Sequence, residues 1–197
     1  MLLKRDVGGD AVWTHHAPET ALMWARIYAA AVFYPTLAWN FLLARVLHRR
    51  RWSDRIDDHV IVGAYPFARD VKQMVRDGVG AVVNTCEEYA GPAKQYQSAG
   101  IEQLHIPTTD FTHPTADDVD RAVEFVQRHA AAGRTVYIHC KAGRARSATV
   151  ALAWLVRHRG MTPADAQRHL LAARPHVNPH IMDRPVIAEL QRRWQSA

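Results

Sequence analysis

The chain has 197 residues, 48% hydrophobic and 22% charged, with a formal net charge of +6. That composition excludes a disordered or low-complexity chain and suits one domain with a sizeable core. The charge is uneven: residues 1–44 are neutral overall, whereas residues 45–55 carry Arg45, Arg49, Arg50, Arg51 and Arg55 against Asp54 alone. One basic block behind an apolar stretch points to anionic lipid headgroups and away from nucleic acid. The two cysteines, Cys86 and Cys140, make no disulfide framework and share no metal-ligand spacing with the 12 histidines. A reducing compartment is implied.

In chain order, residues 1–19 are mixed and predict little order. Ile27 to Ala44 then gives 18 residues without a charge, interrupted by Pro35 and Asn40. This is the short limit for crossing a bilayer, and Tyr28, Tyr34, Trp39 and Phe41 favour the headgroup interface. The segment reads as a membrane-seated helix or broken helix, spanning or interfacial, with a helix packed on the domain as the competing reading. If it spans, the arginines after it hold the catalytic domain on the cytoplasmic side. A cleaved signal peptide fits poorly because the apolar run starts late. A mitochondrial transit peptide fits poorly because Asp6, Asp10 and Glu19 are acidic and no serine precedes Ser53.

From about residue 56, strand and helix signals alternate. Val60–Val62 is a short apolar run, and Phe67–Asp77 has helical spacing closed by Gly78. Val79–Thr85 predicts a buried strand and Ile101–Ile106 an alternating one. Thr115 predicts a helix start, with Asp118 at the capping-box position and Val119, Ala122, Val123 and Val126 on one face. Thr135–His139 predicts a strand and Ser147–Arg159 a helix. Thr162-Pro163-Ala164-Asp165 opens another helix, and a last one runs from near His180 to Trp194. The expected fold is α/β, a mainly parallel sheet flanked by helices.

The chemistry gathers at His139-Cys140-Lys141-Ala142-Gly143-Arg144-Ala145-Arg146-Ser147. Cys-x5-Arg alone proves little in so arginine-rich a chain; the context decides. An apolar strand enters a loop containing Gly143, and a helix begins at Arg146 or Ser147. Such a loop wraps backbone N–H groups around a tetrahedral anion at the positive end of a helix. Cys140 inside that ring, beside Arg146, should be a thiolate nucleophile with a pKa well below about 8.5. Arg146 can present two parallel donors to phosphate oxygens. Ser147 can donate to the sulfur, and His139 reads as a hydrogen-bonding brace. The departing alkoxide needs a proton, and Asp110, in Pro107-Thr108-Thr109-Asp110-Phe111 just past a strand, is the candidate acid. Asp117 and Asp118 fit better as first-turn helix charges.

This loop, His-Cys-Lys-Ala-Gly-Arg-Ala-Arg-Ser, resembles the dual-specificity phosphatases of the protein tyrosine phosphatase superfamily, and among them the mitochondrial phosphatidylglycerophosphate phosphatases. The resemblance extends to Phe33-Tyr34-Pro35-Thr36-Leu37, Arg55-Ile56-Asp57, Val62-Gly63-Ala64, Glu87-Glu88-Tyr89 and Gly100-Ile101-Glu102-Gln103-Leu104. It implies a protein tyrosine phosphatase-like fold over residues 53–197, behind a tail, apolar segment and basic block over residues 1–52. It implies that Cys140 is the nucleophile, Arg146 the phosphate-binding arginine and Asp110 the acid, with Glu87, Glu88 and Tyr89 beside the pocket. Ala90 departs from the glutamate usual there. The implied reaction removes the terminal phosphate of phosphatidylglycerophosphate through a phosphocysteine, at a membrane and without a metal or organic cofactor.

Lys141 and Arg144 add positive charge to a loop, Lys141 to Ala145, that already binds one phosphate, which suits an acidic lipid. The alternatives are a phosphoinositide phosphatase, a dual-specificity protein phosphatase, or a membrane-tethered phosphate-binding module without turnover. Cys86 ends one predicted strand as Cys140 ends another, and a parallel sheet opens both ends on one edge. It is therefore a candidate redox partner of Cys140, the plainer reading being a small buried apolar residue.

Overall fold

The computed structural model describes residues 51–196 together with Pro35, Ala38, Trp39, Phe41 and Leu42. The expected apolar helix over residues 27–44 otherwise lies outside the described residues. Among those described, no helix is long and apolar enough to cross a membrane.

Short β-branched runs build the sheet. β1 (Ser53–Arg55), β2 (Val60–Gly63), β3 (Val79–Cys86), β4 (Glu102–Thr108) and β5 (Thr135–His139) lie in the order β1-β2-β5-β3-β4. β2, β5, β3 and β4 are parallel, and β1 pairs antiparallel with β2 at the edge, so the sheet is mixed. β5 is central and buried at every position, as a strand covered on both faces must be. Alternation divides the core. Val60, Val62, Ala81, Val83, Val136 and Ile138 join one cluster with residues of α3 (Ala116–Ala131), α4 (Arg146–Arg159), α5 (Pro163–Ala173) and α6 (Pro185–Gln195). Ile61, Val82 and Tyr137 face the other way, onto Val71 and Met74 of α1 (Val71–Arg76) and Tyr96 of α2 (Ala93–Ser98).

Local signals place the helix starts. Thr115 accepts from the Asp118 amide at 3.1 Å, and Thr162 accepts from the Asp165 amide at 3.1 Å. Three elements depart from the sequence pattern. β1 is polar and has no strand periodicity; it forms by pairing antiparallel with the apolar β2 that follows it. α2, only six residues long, carries no amphipathic signal of its own. The last helix begins at Pro185, not near His180, because Gln167 Oε1 accepts from the amides of Ile181 and Met182 at 2.9 and 3.2 Å and holds them in a turn.

Candidate active site

The C-terminal edge of the parallel strands is where a ligand meets an α/β sheet. Here the chain leaves β5 at His139, turns through residues 140–145 and enters α4. Ala145 provides no side-chain cap for that helix, so its first amides are left for another acceptor. The Gly143 amide lies 3.2 Å from Cys140 Sγ, and the Ser147 hydroxyl donates to the same sulfur at 3.3 Å. Gly143 has φ +67°, and a Cβ there would stand 2.6 Å from the Gly63 carbonyl oxygen. Only glycine fits. Burial pushes the Cys140 thiol up, but the Arg146 guanidinium, the Ser147 hydroxyl and the amides of Ser147 and Arg144 outweigh it and bring the pKa down to about 7. A substantial thiolate fraction at neutral pH results.

Arg146 is buried in the first turn of α4. Its Nη1 donates to Glu88 Oε2 at 2.9 Å and to the Thr108 carbonyl at 2.6 Å. Nη2 stands 3.1 Å from Asp110 Oδ1 without forming a hydrogen bond, and so retains donor capacity for a phosphate oxygen. Asp110 follows β4, and its other carboxylate oxygen pairs with the Lys141 ammonium. Burial pushes the Asp110 carboxyl up, but Arg146 and Lys141 outweigh it and hold it below the usual carboxylate range. Phe111, next along, has φ 64°, a conformation uncommon for a bulky residue. Its exposed ring stands 5.5 Å from the Lys141 ammonium, at the rim of the site.

Residues 60–192 match the dual specificity phosphatase catalytic domain family. The chain is 40% identical over 164 residues to the phosphatidylglycerophosphate phosphatase PTPMT2 of Arabidopsis thaliana, covering 82% of this chain and 72% of that one. It is 36% identical over 175 residues to the human phosphatidylglycerophosphatase and protein-tyrosine phosphatase 1, covering 83% and 87%. The crystal structure of PTPMT1 in complex with PI(5)P superposes with a TM-score of 0.68 at 30% identity, covering 74% of this chain and 98% of that one. The chain is a dual specificity phosphatase.

In this phosphatase the Glu87-Glu88-Tyr89 segment is tied to the site despite Ala90. Thr109 Oγ1 donates to Glu87 at 2.5 Å, and the Asp110 amide donates to Glu88 Oε1 at 3.0 Å. Glu88 thus connects Arg146 with Asp110. Tyr89 stacks on Tyr65 with ring centroids 3.6 Å apart, and its hydroxyl donates to the Pro66 carbonyl at 2.8 Å. Lys141 is buried against Asp110, whereas Arg144 is exposed and its Nε donates to the His176 carbonyl at 2.9 Å. The Ala142 carbonyl faces away from the sulfur, toward Arg174.

His139 is fully buried at the end of β5. Its ring lies about 6 Å, centroid to centroid, from Tyr89 and Tyr137. Burial lowers its pKa to about 3 and outweighs a hydrogen bond with the Cys140 backbone that raises it, so it is neutral at physiological pH. Cys86 closes β3 opposite Thr108, fully buried, and burial pushes its thiol well above the ordinary range. Asp117 and Asp118 sit in the first turn of α3, and Asp117 pairs with Arg193. Sequence reasoning missed the Thr108 carbonyl, Tyr65, Asp54 and Arg174. The carbonyl has no residue signature; the others reach the site through partners far along the chain.

Proposed function

We propose that the phosphatase hydrolyses the terminal phosphate of phosphatidylglycerophosphate, giving phosphatidylglycerol, through a phosphocysteine at Cys140. The observation that carries this reading is the loop itself, with thiolate, amides and Arg146 converging on one point, in a chain whose relatives are named for that substrate. The Cys140 thiolate attacks phosphorus in line with the ester oxygen. Arg146 and the loop amides hold the equatorial oxygens, where charge spreads in the transition state. Asp110 begins ionised between Arg146 and Lys141. A dianionic phosphate entering there takes over both cations, so the carboxylate becomes more basic and takes up from solvent the proton that it then gives to the departing alkoxide. The resulting carboxylate activates water against the phosphocysteine, and the Ser147 hydroxyl stabilises the sulfur as it leaves.

The same reading seats the enzyme on a membrane through residues 27–44 and the basic block, with the catalytic domain on the cytoplasmic or matrix-equivalent face. Exposed Trp39 and Leu42 favour it, while Phe41 packs edge-on to Trp52 and Phe67 at ring-centroid distances of 6.2 and 6.0 Å. A chain lacking residues 1–44 should fold and hydrolyse 4-nitrophenyl phosphate but lose activity on bilayer substrate. If it fails to fold, the apolar segment belongs to the core.

A phosphoinositide monoester is the second reading, favoured by the PTPMT1 complex with PI(5)P. Phosphate release from lipid vesicles and phosphopeptides decides between them. The highest kcat/KM is expected on phosphatidylglycerophosphate; a higher value on a phosphoinositide or a phosphopeptide overturns the proposal.

A further inference from the structure

Every carbonyl of the loop from Lys141 to Ala145 accepts from a donor outside the loop. The Lys141 carbonyl accepts from the Tyr65 amide at 3.2 Å, and the Arg144 carbonyl from the Asn178 amide at 3.0 Å. The Ala145 carbonyl accepts from the Thr149 amide at 2.9 Å, within α4. The two between them, Ala142 and Gly143, are held by one side chain: Arg174 donates from Nη2 to Ala142 at 3.1 Å and from Nε to Gly143 at 2.8 Å.

A trans peptide plane carries its C=O and the next N–H on opposite sides. Holding the Ala142 and Gly143 carbonyls outward therefore turns the Gly143 and Arg144 amides inward. These two amides meet the Cys140 sulfur: the Gly143 amide stands 3.2 Å from it, and the Arg144 amide helps to lower its pKa.

Arg174 is fully buried just after α5, and its Nη1 donates to Asp54 Oδ2 of β1, itself 6% exposed. The carbonyls of Arg51 and Trp52 lie 3.4 Å from its Nη1 and Nη2. A Cβ on residue 143 would stand 2.6 Å from Arg174 Nη2, so glycine is what lets the guanidinium reach the loop. Replacing a buried ion pair by apolar groups often leaves stability unchanged or raised, so stability alone is a weak account of this one. What distinguishes it is what it touches.

We propose that Arg174, held by Asp54, is a positioning residue for phosphoryl transfer, fixing the Ala142 and Gly143 carbonyls outward so that the Gly143 and Arg144 amides stay aimed at the thiolate and the phosphoryl group. The proposal rests on the reading of residues 140–146 as the phosphate site. Without Arg174 the two peptide planes are free to flip, and a flipped plane presents an oxygen to an anion. The β1 edge strand, absent from the sequence pattern, thereby acquires a role, since it delivers Asp54 beneath the loop.

Two variants test this. Arg174→Lys keeps the charge and the Asp54 pair but can reach only one carbonyl. The paired variant Asp54→Leu with Arg174→Met replaces the ion pair by apolar groups. In each, after circular dichroism and thermal melting establish the fold, three quantities are read: kcat/KM on 4-nitrophenyl phosphate, orthovanadate inhibition, and the pH midpoint of Cys140 alkylation by iodoacetamide. The expected result is a loss of roughly 10- to 100-fold in kcat/KM and in vanadate affinity, the size usual for groups that orient a site from behind, with the midpoint moved upward. Arg174→Lys should recover part of the loss seen in the paired variant. A folded variant that keeps wild-type vanadate affinity and alkylation midpoint overturns the proposal, leaving Arg174 a purely structural residue. Retained turnover in Cys140→Ser is a different result, and it would remove the site reading beneath.

Discussion

Two cysteines close neighbouring parallel strands at one edge of the sheet, with opposite chemistry. Cys86 ends β3 and Cys140 follows β5; both are buried. Burial alone pushes a thiol up, and at Cys86 that outcome stands, the charge of nearby Arg146 being too little to reverse it. At Cys140 the same burial is overcome, and the pKa falls to about 7. The difference lies in what comes next along the chain. After Cys86 runs a loop whose acidic residues reach across to Thr109, Asp110 and Arg146. After Cys140 comes a loop whose amides turn back on the sulfur, ahead of an uncapped helix start. Depth and strand position do not make a nucleophile; donors aimed at the sulfur do.

The sharpest way to break this comparison is Cys140→Ser, which should reduce turnover to background while vanadate still binds, because a hydroxyl is a weak nucleophile at neutral pH. Measurable turnover by the folded variant would show that the sulfur is not the attacking atom. Asp110→Asn comes next. Loss of a general acid costs about 10²- to 10⁴-fold where the leaving group needs a proton. The loss should therefore fall on lipid and alkyl phosphates and largely spare 4-nitrophenyl phosphate. Equal losses on both would show that Asp110 is not the acid.

Titration sharpens the contrast directly. Below about 7 Cys140 is a thiol and should alkylate slowly; as pH rises through that value the thiolate forms and the rate should climb to a plateau. Cys86 should stay unreactive across the neutral range in the folded protein, since its thiol is held protonated. Ser147→Ala removes one donor and should raise the Cys140 midpoint by roughly one to two units, the worth of one hydrogen bond to a charged group. An unchanged midpoint would leave Arg146 and the amides as the whole cause.

The smallest effect expected is oxidative. Peroxide oxidises the Cys140 thiolate to a sulfenic acid, and a Cys86 thiol that attacks that sulfur expels water and leaves a disulfide, provided the Cα atoms come within about 7 Å. Because Cys86 holds its proton, this step should be slow beside the first. Peptide mapping after mild peroxide should find a minor Cys86–Cys140 linkage that reductant reverses. Cys140 passing to sulfinic acid at the same rate in wild type and Cys86→Ser would end the idea.

Much of this was legible in the sequence because it is local. The loop from His139 to Ser147 carries Cys140, Gly143 and Arg146 within one short stretch of chain, and Thr115 and Thr162 announce their helices through residues three positions away. Buried strands such as β5 declare themselves by continuous apolar runs. Even the nearness of Asp110 to Arg146 could be anticipated, since it lies two residues past a strand whose end must lie at the sheet edge. What tertiary structure alone decided is pairing at long range. That Glu88 grips Arg146, that Asp54 sits under the loop and that Arg174 turns two peptide planes depend on separations of 58, 120 and 31 residues respectively. Charged side chains look alike in a sequence whether solvated or buried, because their partners are chosen by the packing of the sheet and not by neighbours along the chain. The contrast between Cys86 and Cys140 has the same origin: a thiol's pKa is set by the donors that the fold brings to its sulfur.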